Sequence, residues 1–228
     1  MTSDRIWEID ALRGLAIVLM VVFHLVVDLK DFYGAKLEYL SGFWFWVGRS
    51  SAVLFMLLSG VSTVLGRRPL RRGMAVFAWG MVLTAITYIY NPQTYIRFGI
   101  LHLLGVSMLL GHGLRRFHPA IVTIIAFAFL ALGQLAKTNA VSHSLFLPFG
   151  IMPENFTSLD YYPIFPWTGV FLLGYALGRT VYKRKMSRIP GPPRFIWLTT
   201  LGRRSLFIYL IHQPVLLTLL YLGHRLWR

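Results

Sequence analysis

Four ionisable side chains in the first apolar segment have types and spacing suited to acid–base chemistry. Residues 9–29 read IDALRGLAIVLMVVFHLVVDL and contain Asp10, Arg13, His24 and Asp28. Because an α-helix advances about 100° per residue, all four fall on one stripe roughly 60° wide. A charge at the centre of a bilayer costs roughly 2.5–3.5 kcal/mol, so we expect the stripe to face a protein interior or a watery cavity.

Within this stripe, His24 and Asp28 are four residues apart, so their side chains can meet on a helix. A carboxylate that accepts from one ring nitrogen fixes the histidine tautomer and leaves the other nitrogen as a base. Arg13 lies about 16 Å from His24 on the same face. The alternative is an interfacial Asp10–Arg13 ion pair, with His24 and Asp28 at headgroup depth on the other side.

The composition indicates a multi-span membrane protein. The chain has 228 residues, of which 56% are hydrophobic and 15% aromatic. Its net charge of +15 comes from basic residues in short loops between apolar runs, which the positive-inside rule predicts and which argues against a nucleic-acid partner. The chain contains no cysteine, which excludes disulfides and a thiolate nucleophile.

Hydropathy predicts an all-α fold, a polytopic membrane helix bundle of about seven transmembrane helices that forms a single domain over residues 1–228. The predicted spans are residues 9–29, 42–65, 74–90, 100–114, 119–135, 163–182 and 206–222. Basic residues follow the second, fourth and sixth spans, so the amino terminus is predicted to be cytoplasmic. We expect a multi-pass protein of the plasma or inner membrane.

Further polar residues lie in or near other spans. Arg49 in the second span requires an anion or carbonyl groups, and Asp28, Asp160 or a substrate could supply them. His102 opens the fourth span, and His212 precedes a proline in the seventh. We expect no metal, because the histidines show no paired-ligand spacing.

Small residues in two spans are expected to allow close helix packing. The sixth span, YPIFPWTGVFLLGYALG, contains Gly169, Gly174 and Gly178. In the second span, the segment FMLLSG contains Ser59 and Gly60. We interpret these residues as packing positions.

Five blocks of the sequence resemble a known family. The blocks are IDALRGLAIVLMVVFH, FMLLSG, RFGILHLLG, YPIFPWTGVFLLG and LGRRSLFIYLIHQP. They occur in the order seen in the heparan-α-glucosaminide N-acetyltransferase catalytic domain family, which belongs to a wider group of transmembrane acyltransferases. Arg13 and His24, separated by ten residues, match a motif of that wider group.

The resemblance implies transfer of an acyl group, most simply acetyl, from cytosolic acyl-CoA to a sugar or glycan beyond the membrane. It implies His24 as the general base, and the i,i+4 spacing adds Asp28 as the second catalytic residue. Four residues are assigned to acyl-CoA: Asp10, Arg13, Arg203 and Arg204. Five are assigned to the acceptor or the cavity lining: Arg49, His102, Asp160, Trp167 and His212.

One feature departs from the family pattern. Lysosomal members carry a catalytic histidine in the luminal stretch after the first span, and residues 29–46 contain none here. The role of that residue therefore does not carry over, and the implied acceptor is an envelope glycan or a lipid-linked sugar.

Two other classes of function stay open at this stage. A small proton-coupled transporter or flippase subunit would use the buried His, Asp and Arg stripe to move protons or bind a solute. A non-catalytic partner subunit is the third hypothesis. The expected partners are the lipid bilayer, acyl-CoA and a sugar or glycan acceptor, with a homo-oligomer left open.

Overall fold

The computed structural model describes residues 6–136, 144–190 and 195–226, and the regular structure within them is helical. Eight α-helices follow in chain order: α1 Trp7–Tyr33, α2 Gly42–Leu65, α3 Pro69–Tyr90, α4 Ile100–Gly113, α5 Pro119–Ala136, α6 Ile164–Thr180, α7 Ile196–Arg203 and α8 Ser205–Leu226. Short 3-10 helices occupy Leu114–Arg116 and Ser144–Phe149. The all-α prediction is confirmed.

Five of the helices, α1, α2, α3, α5 and α8, are long and apolar enough to cross a membrane. Helices α4 and α6 have 14 and 17 residues and are shorter than these. The protein is therefore a membrane protein, while the count of seven spans and the cytoplasmic amino terminus stay predictions. Helix α7 was not predicted, because eight residues with a polar turn carry too little hydropathy to stand out from a loop.

The helices form two compact units. The first consists of Met1–Phe55 and Lys185–Arg228, and the second of Met56–Arg184. The prediction of a single domain over residues 1–228 stays a prediction.

In the first unit, α1 packs against α7 and α8. The closest approach joins α1 to α7 through two glycines. A Cβ atom on Gly202 would collide with the carbonyl oxygen of Asp10, and one on Gly14 would collide with the carbonyl oxygen of Leu198. The two helix backbones are thus in direct contact, which brings the end of α7 beside Asp10 and Arg13.

A buried carboxylate also ties the start of α1 to the segment that leads towards α7. Glu8 accepts hydrogen bonds from the Ser187 hydroxyl at 2.7 Å and from the Arg188 backbone N–H at 2.6 Å. The Trp7 indole N–H donates to the Ile189 carbonyl at 3.3 Å. Residues 187–189 are therefore fixed to α1 by three hydrogen bonds.

The second unit contains the predicted packing glycines. A Cβ atom on Gly60 would collide with the carbonyl oxygen of Phe171, and one on Gly174 with that of Leu57. Helix α6 also packs against α5 and α4, and the buried Ser107 and Thr168 hydroxyls lie 3.0 Å apart across the α4–α6 contact. The close packing predicted for Gly60 and Gly174 is confirmed.

The α1–α7 contact predicts a position-specific effect of one methyl group. Gly202→Ala should destabilise the protein by about 1–3 kcal/mol, because the added Cβ overpacks a backbone contact. Gly223→Ala is the matched control in α8, since its Cβ would have no atom within 4 Å. Thermal melts of both variants in detergent measure the difference, and equal midpoints would contradict the contact.

Candidate functional site

The polar stripe of α1 faces the interior of the first unit. Asp10 and Asp28 are buried, and Asp28 is only 1% exposed. Apolar residues elsewhere on the helix, Leu12, Leu15 and Val22, are exposed. The prediction that the stripe avoids lipid is therefore confirmed for both carboxylates.

At the amino-terminal end of the stripe, Asp10 contacts two arginines. Its Oδ1 accepts a hydrogen bond from Arg13 Nη1 at 2.9 Å, which is the i,i+3 ion pair of the alternative interpretation. Its Oδ2 lies 3.4 Å from Arg203 Nε. Arg13 Nη1 also donates to the Gly202 carbonyl at 3.3 Å. Asp10 thus connects α1 to the end of α7 through charge as well as through backbone contact.

The residues predicted to bind acyl-CoA differ in their availability to a ligand. The Arg13 side chain is 13% exposed and is held by Asp10 and Gly202, whereas the Arg203 side chain is 44% exposed. Arg204, the next residue, is also exposed. The two arginines at the end of α7 are therefore the more accessible cations of this cluster.

His24 is oriented by the backbone of its own helix. Its Nδ1–H donates to the Met20 carbonyl at 2.9 Å, so Nε2 carries the lone pair of the neutral ring. The prediction that Asp28 orients this ring is wrong. Helical side chains lean towards the preceding turn, which brings the His24 ring to the carbonyl one turn back, and Asp28 turns to α8 instead.

The hydrogen-bond donor to Asp28 is a residue outside the predicted site. Gln213 Nε2 in α8 donates to Asp28 Oδ1 at 2.7 Å. The Arg49 guanidinium lies over the Phe45 ring at 5.2 Å, and its pairing with Asp28 stays a prediction. A buried carboxylate is most readily matched by a donor on the helix packed against it, and the sequence does not show which helix that is.

His212, directly before Gln213, lies against His24. The two ring centroids are 4.7 Å apart, with an interplanar angle of 80°. His212 Nδ1–H donates to the Tyr209 carbonyl at 2.6 Å, so its Nε2 also carries a lone pair. The structure therefore brings together two of the predicted residues, each of which uses Nδ1 to bond a backbone carbonyl of its own helix.

Three buried acceptor atoms near this pair have no hydrogen-bond partner within residues 6–136, 144–190 and 195–226. They are Asp28 Oδ2, His212 Nε2 and Gln213 Oε1. Buried polar atoms are almost always paired in folded proteins, so these three atoms require donors other than the side chains and backbone that surround them. The His24 end of the stripe thus combines basic nitrogens with unfilled acceptor positions.

The other predicted residues, His102, Asp160 and Trp167, lie in the second unit. His102 is buried; its Nδ1 accepts from the Gly99 N–H at 3.2 Å, and its Nε2–H donates to Thr84 Oγ1 at 3.3 Å. Both ring nitrogens are occupied, so His102 stabilises the start of α4 and has no lone pair to act as a base.

Asp160 and Trp167 also make contacts around helix starts. Asp160 Oδ2 accepts from the Ile100 N–H at 2.9 Å and so caps α4 from a distant part of the chain. Trp167, in the first turn of α6, packs edge to face against Tyr162 at 5.3 Å. Roles for these two residues in acceptor binding stay predictions. In the part of the chain that the structure describes, no group of three or more His, Cys, Asp or Glu residues could hold a metal ion.

Comparison with known families agrees with the blocks in the sequence. The family described as "Heparan-alpha-glucosaminide N-acetyltransferase, catalytic" matches residues 5–214, which include both His24 and His212. Neither a curated protein nor a solved structure matches the chain. Because the match covers most of the sequence, the chain belongs to the heparan-α-glucosaminide N-acetyltransferase catalytic domain family.

Proposed function

We propose that this membrane protein transfers an acyl group, most simply acetyl, from acyl-CoA to a sugar or glycan acceptor across the membrane, with His24 as the general base. Membership of a transferase family supports the reaction class. The single observation that supports the base is the hydrogen bond from His24 Nδ1–H to the Met20 carbonyl. It leaves Nε2 as a positioned lone pair beside a buried polar cluster.

In this reaction the acceptor oxygen or nitrogen attacks the thioester carbonyl carbon while His24 Nε2 takes the acceptor proton. The carbon–sulfur bond then breaks, and the thiolate takes that proton from the imidazolium to leave as CoA thiol. The products are the acylated acceptor and CoA. A transient acyl group on His24 Nε2 is the alternative route, in which the thiolate leaves before the acceptor attacks.

The donor end of the site is the arginine cluster at the end of α7. Arg203 and Arg204 are exposed and adjacent, and Asp10 holds Arg203 at 3.4 Å. Guanidinium groups suit the phosphates of CoA, because their planar fork donates two parallel hydrogen bonds to oxyanions. Asp10 and Arg13 then act mainly by fixing α7 to α1.

One observation favours a second candidate function, a proton-coupled transporter or flippase subunit. Asp28 is 1% exposed, lies within a candidate membrane span, and its Oδ2 has no hydrogen-bond partner among the described residues. Intramembrane carboxylates of this kind often belong to proton pathways. A transporter forms no CoA-dependent product, and this difference distinguishes it from the acyltransferase.

Removing the proposed base should abolish acyl transfer without abolishing donor binding. We expect His24→Ala to lower transfer by about 100-fold or more, the typical contribution of a general base, with an unchanged Kd for acetyl-CoA. The assay follows radiolabel from acetyl-CoA into the lipid and glycan fractions of membranes that contain the protein.

The matched control is His118→Ala, which removes an exposed histidine in the second unit. Transfer in His24→Ala at the level of the control would rule out the base. CoA-independent solute uptake that requires His24, with no labelled product from the wild-type protein, would instead support the transporter.

The arginine cluster can be tested by binding alone. The double variant Arg203→Gln, Arg204→Gln should bind acetyl-CoA about tenfold more weakly or worse, and the loss should be larger at low salt, where charge contacts are less screened. Arg67→Gln, Arg68→Gln removes another exposed adjacent pair and serves as the control. Isothermal titration at two salt concentrations measures both, and equal affinities would assign the donor site elsewhere.

A further inference from the structure

Arg97, in the second unit, is a cation that no part of the proposed reaction uses. It lies in the connection between α3 and α4 and is partly buried. Its guanidinium is 5.0 Å from the centre of the Tyr95 ring and 5.2 Å from that of Phe156. Its Nε is buried without a hydrogen-bond partner among the described residues, and Arg97 takes part in none of the ion pairs found there.

The two aromatic rings that contact Arg97 are themselves supported. Phe156 packs edge to face against Tyr161 at 4.8 Å, and Tyr95 against Tyr88 at 5.1 Å. The Tyr161 hydroxyl donates to the Leu147 carbonyl at 2.7 Å. Burial raises the pKa of Tyr161 to about 12, so its phenol is neutral and provides no negative charge to the arginine.

The backbone under these rings is held by hydrogen bonds between two segments, residues 93–98 and 157–162. The Leu159 N–H donates to the Thr94 carbonyl at 2.8 Å, and the Tyr162 N–H donates to the Phe98 carbonyl at 3.0 Å. The Ser158 hydroxyl donates to the Tyr95 carbonyl at 3.0 Å. The backbone that carries Arg97 is therefore fixed by hydrogen bonds, so little backbone entropy is lost when the guanidinium binds a ligand.

The position of Arg97 along the chain indicates the kind of ligand. Helix α3, a candidate membrane span, ends at Tyr90, and its last residues Ile89 and Tyr90 are strongly exposed. Exposed aromatic residues at the end of a span mark headgroup depth. Arg97 follows the end of this helix by seven residues, so we expect it near the lipid phosphates, and a guanidinium without an acidic partner matches the charge of a phosphate.

We propose that Arg97, between Tyr95 and Phe156, forms a phosphate-binding site within the second unit. The ligand is a phosphate ester, supplied either by a lipid headgroup or by a soluble molecule. The inference does not depend on acyl transfer, because it uses no residue of the proposed reaction. The site would hold an anionic group at the membrane surface beside α3.

The test uses the full-length protein, delipidated in dodecyl maltoside, a detergent without phosphate. One arm titrates dioleoyl phosphatidylglycerol into the micelles and counts bound lipid by native mass spectrometry. The other titrates sodium phosphate at constant ionic strength and follows the shift in Tm. Arg97→Gln should weaken binding about tenfold in at least one arm, because it removes a charge-assisted contact.

Arg116→Gln is the matched control, since it removes an exposed arginine from the same unit. A loss with Arg97→Gln in the lipid arm alone identifies a headgroup, and a loss in the phosphate arm alone identifies a soluble ester. Arg97→Lys keeps the charge but not the planar fork, and it provides a second variant if the glutamine form is unstable. Wild-type affinity of the stable Arg97 variants in both arms overturns the proposal.

Discussion

The packing of the first unit depends on one constraint, which is that the charged side chains of the mostly apolar helix α1 must stay out of the lipid. Helix α1 must satisfy its polar groups inside the protein, because the bilayer core offers no hydrogen-bond partners. At the amino-terminal end of the stripe, the α1–α7 backbone contact at Gly14 and Gly202 brings the Gly202 carbonyl within hydrogen-bond distance of Arg13. At the other end of the stripe, Gln213 of α8 donates a hydrogen bond to Asp28. The stripe and its two partner helices therefore form a single polar interior.

Under the proposed function, the two ends of the stripe have different roles, one structural and one chemical. Asp10 and Arg13 hydrogen-bond within the protein and hold α7 in place. His24 and His212 use only Nδ1, towards backbone carbonyls, and keep a lone pair on Nε2. The unfilled acceptors lie at the histidine end. A reaction centre is therefore more reasonably placed there than at the arginine end, where charge is already neutralised in part.

Helix periodicity made the stripe predictable, since four residues at 100° intervals identify a face whatever packs against it. The inward orientation of that face followed from the cost of charge in lipid. The hydrogen-bond partners of these side chains were harder to predict, because they depend on which helices pack against α1, and the sequence does not specify this. The sequence therefore suggested an Asp28–His24 contact. In the fold, Asp28 accepts a hydrogen bond from Gln213, and His24 donates one to a backbone carbonyl.

The roles of residues that cap helix ends were harder to predict. His102 and Asp160 have the residue types of a reactive site, and both stabilise the start of α4 through backbone N–H groups. The free N–H groups at the start of a helix need hydrogen-bond acceptors, just as a bound ligand can. Residue type alone therefore cannot distinguish a helix cap from a ligand-binding residue. The sequence around Arg97 carries the opposite ambiguity, because a lone loop arginine resembles a topology signal and only the fold shows its aromatic neighbours.

The rigid joining of α1 to α7 has a geometric consequence. The arginines lie at one end of the joined pair, and His24 lies about 16 Å further along the α1 axis from Arg13, a separation fixed by helix pitch. Neither the glycine contact nor the Glu8 hydrogen bonds allow one helix to slide without the other. Under the proposed function, the arginines of α7 and the His24 ring are held at a constant separation, and only donors long enough to span it could react.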